Sequence, residues 1–96
     1  MQLQDLKSQL TLVFPVRIDC EERRENLRVV LRQLDGLGCR MLVLEADAVP
    51  ALGEEAWPDG VEYTFVEDAS KVFHRTRYIN ELLRMAGTEV VGAWDT

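Results

Sequence analysis

Apolar and polar positions follow two different periods along the chain, and their order predicts strands separated by helices. Leu10 to Ile18 (LTLVFPVRI) is a near-continuous apolar run with several β-branched residues, the pattern of a strand covered on both faces. Asp19 then stands at a helix N-cap position, with Glu22 three residues on at capping-box spacing. From Glu21 to Leu37, the apolar residues Leu27, Val30, Leu31, Leu34 and Leu37 follow helical spacing, and Gly36 and Gly38 stop the helix. Met41 to Leu44 (MLVL) is a second, short strand ended by Glu45 and Asp47. Pro50, Gly53, Pro58 and Gly60 make a loop of the stretch from Ala48 to Gly60. Val61, Tyr63 and Phe65 alternate with polar residues, which suits a third strand with one wetter face, at a sheet edge. A second helix is expected from about Phe73 to Ala86, with Arg75, Ile79, Leu82, Leu83 and Ala86 on one stripe and Gly87 as its stop. Glu89 to Trp94 (EVVGAW) is the expected fourth strand.

The order β-α-β-β-α-β implies an α/β fold: a mainly parallel, four-stranded, Rossmann-like sheet with two main helices, forming a single domain over residues 1–96. In such sheets a ligand lies outside the carboxyl ends of the strands. That rule gathers the polar strand ends into one candidate site. The first strand ends in Pro15, Arg17 and Asp19, the second in Glu45 and Asp47, the third in Glu67 and Asp68, and the fourth in Asp95.

Composition narrows what that site could bind. With 47% hydrophobic and 29% charged residues the chain has the make-up of a globular domain. Its formal charge of −6 argues against sequence-independent nucleic-acid binding, which needs a cationic surface. A phosphate ligand would instead need locally placed arginines or a metal ion. No apolar run is long enough to span a bilayer, and the start MQLQDLKSQL has neither a basic cluster nor a signal-type apolar core. The expected location is therefore cytoplasmic, with no membrane segment in this chain. Cys20 and Cys39 fall at opposite ends of neighbouring strands and read as reduced thiols.

Each candidate has a structural reading beside the functional one. Arg17 could hold a base or phosphates, or bridge to Glu21 or Glu22. Glu45 and Asp47 could hydrogen-bond a base or a ribose hydroxyl, or be solvated strand-end carboxylates. Arg75 could meet a diphosphate, or pair with Asp68 or Asp95. Phe73 could be a stacking platform, or a core or capping residue. His74 has no second histidine or cysteine at ligand spacing. Asp95 suits a hard divalent cation, or is a chain end.

The segments VFPVRID, FHRTRYIN and GAWDT, in this order around βαβ units, resemble glycosyltransferases of the GT-A fold, particularly the capsule-type enzymes and the β-1,4-galactosyltransferase group. The resemblance covers about Leu10 to Thr96 and implies the donor-nucleotide half of such an enzyme. It implies that Pro15, Val16 and Arg17 contact the uridine nucleotide, that Phe73 and Arg75 flank its base or diphosphate, and that Asn80 belongs to the same motif. Glu45 and Asp68 complete the expected nucleotide contacts. Asp95 would begin an Asp-x-Asp motif for Mn²⁺ or Mg²⁺. The implied donor is a UDP-hexose, with galactose as the implied sugar, and the implied product a surface or capsule polysaccharide, made at the inner face of the membrane. The second aspartate and the acceptor-binding half do not appear, so the expectation is the N-terminal, donor-binding fragment of a longer enzyme, inactive alone, with the glycan acceptor bound by the missing part. Two alternatives carry no chemistry. One is a receiver-like regulatory domain, for which Asp19 and Asp68 imitate the acids although the late lysine is lacking. The other is an interaction module, including a homodimer, formed through an exposed sheet edge.

Overall fold

The computed structural model describes residues 10–53, 55–87 and 90–93. Strands β1 (Leu10–Val16), β2 (Arg40–Asp47) and β3 (Val61–Glu67) run parallel, with β2 between the other two. Helices α1 (Glu21–Asp35) and α2 (Arg75–Ala86) complete a small α/β domain. On the far side of β1 the backbone of Val90–Ala93 (β4) pairs in parallel with residues 10–13, so the strand order is β3-β2-β1-β4. Glu89 and Trp94 lie outside the described residues. No described helix is long and apolar enough to cross a membrane.

Side chains alternate across a strand, so β1 and β2 divide between two cores. Phe14, Val16, Met41 and Val43 meet Leu27 and Leu31 of α1 on one face. Val13, Leu42, Leu44 and Ala46 meet Tyr78, Leu82 and Ala86 of α2 on the other. Burial on both faces explains why β1 and β2 read as apolar runs without alternation.

The β2–β3 connection carries the fold's unusual burden. Parallel neighbours must be joined by a crossover of about a dozen residues or more, normally a helix. Residues 48–60 make this crossover with no helix among those described. The loop takes a helix's place by inserting Leu52 into the α1-side core and packing Trp57 against it. Trp57 stacks on Tyr63 of β3, with ring centroids 5.5 Å apart. Arg28 of α1 grips Glu55 with both ends of its fork, Nη2 to Oε1 at 2.6 Å and Nε to Oε2 at 3.0 Å.

Several boundaries differ from the sequence-based expectation, each for a local reason. Asp19 does not cap α1. Cys20 holds the N-cap position without a side-chain hydrogen bond, and Asp19 instead pairs with Arg23 at 3.1 Å. The helix ends at Asp35, so Leu37 falls beyond it and is 44% exposed. β2 continues past Leu44 to Asp47 because Glu45, Ala46 and Asp47 keep pairing with Phe65, Val66 and Glu67. α2 starts at Arg75, leaving Phe73 in the loop before it. Its buried seam runs in steps of four through Tyr78, Leu82 and Ala86, and Leu83 faces outward at 45% exposure. Gly87, at φ +66°, ends the helix in the left-handed conformation. Arg40 also caps this end, donating from Nη1 to the carbonyls of Met85 and Ala86 while Nε and Nη2 hold Glu62. Both cysteines are free, Cys20 exposed and Cys39 buried.

The position of the α2 seam is testable by a pair of truncations. Leu82→Ala should cost about 3 kcal/mol of unfolding free energy in a denaturant titration, as fully buried leucines do. Leu83→Ala should cost no more than about 0.5 kcal/mol. Equal losses would show that the seam is misplaced.

Candidate functional site

The carboxyl ends of parallel strands leave carbonyl groups that no neighbouring strand satisfies, and Arg17 is placed to collect them. Just beyond β1, its side chain crosses the ends of β2 and β3. Nε donates to the carbonyl of Ala46 at 2.8 Å, Nη1 to that of Ser70 at 2.7 Å, and Nη2 to that of Asp68 at 3.2 Å. Three of the five guanidinium N–H groups are thus used inside the protein, leaving two that could reach a ligand. The sequence reading of a bridge to Glu21 or Glu22 is corrected: backbone oxygens are the partners.

Asp68 ties the same turn from its side chain. Oδ1 accepts the Ser70 amide at 2.9 Å, and Oδ2 accepts the hydroxyl of Tyr78. These bonds, with the Arg17 charge nearby, hold the Asp68 carboxyl well below the usual carboxylate range. The bond to Asp68, and then burial, push the Tyr78 hydroxyl above its ordinary value. The Phe73 ring stacks on Tyr78 with centroids 5.7 Å apart and lies 5.6 Å from the Arg17 guanidinium carbon. Arg77 sits over the other ring of the stack, 5.8 Å from the Tyr78 centroid.

Between the end of β1 and the start of α2 lies a cleft of about 90 Å³ lined by Pro15, Val16, Arg17, Ile18, Arg23, Phe73 and Arg75. An open concavity of about 500 Å³, along Phe73 to Arg77, adjoins it and shares Phe73 and Arg75. Three arginines from separate elements therefore line one cleft of a chain whose formal charge is −6. The first turn of α2 holds no acidic residue that would offset the positive end of its dipole. Cationic forks, an aromatic ring and a helix N-terminus suit an anionic ligand with a flat ring. Pro15 and Val16 contribute a buried, rigid floor.

Glu45 sits elsewhere. It is fully buried on the α1 side of β2, where Oε2 accepts the Ala51 amide at 2.9 Å. Its Oε1 accepts the Leu52 amide at 3.1 Å and the Tyr63 hydroxyl at 2.5 Å. Neither sequence reading describes this setting, since the carboxylate meets neither ligand nor solvent and instead anchors the crossover loop. Burial, then the bond to Glu45, raises the Tyr63 hydroxyl well above its usual range. Asp47 accepts the neighbouring Ala48 amide at 2.7 Å. Asn80 is exposed on α2 and does not line the cleft. His74 is exposed at the N-cap of α2 and lines the adjoining concavity. Asp95, on which the metal expectation rests, lies outside the described residues. Among the described residues no three His, Cys, Asp or Glu side chains stand together to hold a metal ion.

Sequence reasoning missed Tyr78, Tyr63 and Arg23. For Tyr78 a usable signal existed, because it lies four residues before Leu82 and eight before Ala86. For Arg23 the signal was weak, since one arginine among several on a charged helix face does not stand out.

Two outcomes test this geometry. Glu45→Gln replaces an acceptor-only group with one that presents N–H toward other donors, and should cost about 1–3 kcal/mol of unfolding free energy by denaturation. For Asp68 the pH dependence has a definite sign. A carboxyl held below its ordinary value near 3.8 contributes stability that is fully present above that value and is lost as pH falls toward the folded one. The melting-temperature gap between wild type and Asp68→Asn should therefore be constant near neutrality and narrow below about pH 4; a gap that widens in acid would contradict the assignment. Comparison of the chain with protein-family models, with curated proteins and with solved structures finds no match.

Proposed function

We propose that this chain is the donor-nucleotide-binding part of a glycosyltransferase, and that the cleft between β1 and α2 receives the uridine diphosphate of a UDP-hexose. The observation that carries this reading is that Pro15, Val16 and Arg17 line the same cleft as Phe73 and Arg75, although more than half the chain separates the two segments. These are two of the three motifs that resemble GT-A enzymes. The reading extends to the sheet as a whole, taken as the Rossmann-like, four-stranded half of that fold.

Size favours a shared site. Pockets for small ligands run to about 300–1,000 Å³, so the cleft alone is too small for a nucleoside diphosphate. It suits the base or one phosphate, with the remainder lying in the adjoining concavity over His74, Thr76 and Arg77. Arg75 borders both and is the candidate diphosphate contact. Arg17 orders the wall and offers its remaining N–H groups. In this reading Asp95 would contribute to holding Mn²⁺ or Mg²⁺, which would supply Lewis-acid activation of the leaving diphosphate. The acceptor glycan would be bound by a further part of the enzyme, in polysaccharide synthesis at the cytoplasmic face of a membrane, with galactose the leading candidate sugar. The receiver-like alternative has less support, because both oxygens of Asp68 are taken by Ser70 and Tyr78.

An NMR titration with UDP tests the proposal. Signals of Arg17, Phe73 and Arg75 should shift on adding UDP, and Arg75→Ala should weaken binding about tenfold, the scale of one charge-assisted contact. No response at millimolar UDP, in this chain and in one extended past Thr96, would sink the reading.

A further inference from the structure

The wall of the cleft is held by a residue that does not line it. Phe73 and Arg75 belong to a connection, residues 68–74, and the first residue of α2, and short loops of this kind move unless tied down. Three ties stand out among the described residues. Arg17 takes the carbonyls of Asp68 and Ser70, the Asp68 side chain takes the Ser70 amide, and Phe73 is stacked on one side by Tyr78 with the Arg17 cation near its ring. Tyr78 joins two of these ties. Its hydroxyl donates to Asp68 and its ring supports Phe73, so one side chain on α2 fixes both the beginning and the end of the connection. Tyr78 itself is only 3% exposed and is anchored in the α2-side core.

From this geometry we infer that Tyr78 is a positioning residue for the nucleotide site: through Asp68 and Phe73 it sets the cleft wall against which the ligand packs. The inference rests on the reading of the cleft as that site. The hydroxyl is the specific element. A tyrosine kept only for packing would be replaceable by phenylalanine, whereas here the O–H bridges α2 to the turn that Arg17 clamps.

The test uses Tyr78→Phe, which keeps the ring and removes the bond, with Asp68→Asn as a second way to weaken the same bond. Glu55→Gln serves as control, because it loosens the Arg28 tie to the crossover loop without touching the wall. Without ligand, the Arg17 Nε and Ser70 amide NMR signals should move in Tyr78→Phe and stay in place in Glu55→Gln. UDP affinity should fall about tenfold in Tyr78→Phe and be unchanged in Glu55→Gln, even where the two melt at similar temperatures. The inference is overturned if the Arg17 and Ser70 signals of Tyr78→Phe match those of wild type, or if Glu55→Gln loses as much affinity as Tyr78→Phe. A wild-type chain that ignores UDP would overturn the function proposed above, and the ligand-free signals would still decide the role of Tyr78.

Discussion

The satisfaction of carbonyl oxygens at the carboxyl ends of β2 and β3 is the constraint on which the candidate site depends. A parallel sheet exposes acceptors where the chain leaves each strand, and an unsatisfied carbonyl at a buried residue such as Ala46 is costly. Arg17 resolves the problem with one planar fork that reaches Ala46, Asp68 and Ser70 together. Lysine could not reproduce this, because its point charge lacks the fixed directions of the guanidinium. Once Arg17 is placed, the turn after β3 has one position, Phe73 lies beside the cation, and the cleft acquires its second wall.

This arrangement also shows how an acidic chain can present a cationic surface. Many of its arginines are neutralised close to home: Arg28 by Glu25 and Glu55, Arg40 by Glu62, Arg84 by Glu81. Such exposed pairs contribute little stability individually. Arg17 differs in that its hydrogen-bond partners are neutral backbone carbonyls, although its charge is also felt by the nearby Asp68 carboxylate.

The order of elements was legible because β1, β2, α1 and α2 carry long apolar patterns punctuated by glycine and proline. What failed to show were residues whose surroundings come from distant parts of the chain. Glu45 reads as the end of a strand, since a carboxylate after an apolar run suggests solvent, although its alternation with Met41 and Val43 places it on the inner face. Arg17 has backbone oxygens as partners, which residue types do not reveal. The apolar count favours Leu83 over Tyr78, while the seam runs in steps of four through a residue with a polar tip. The convergence of the segments around Pro15 and Phe73 was legible only as a consequence of parallel topology, and that topology holds for β1, β2 and β3.

The crossover loop gives the chain a particular order of assembly. Glu45 can leave water only when the amides of Ala51 and Leu52 and the hydroxyl of Tyr63 arrive to replace it, so loop closure and the docking of β3 are energetically one event. The β1–α1–β2 unit has no such requirement and can form from contacts closer in sequence. In reverse, β3 and the crossover would open together as one cooperative unit, leaving that first unit standing, with amide exchange of Leu52 and of the β3 backbone governed by a shared free energy.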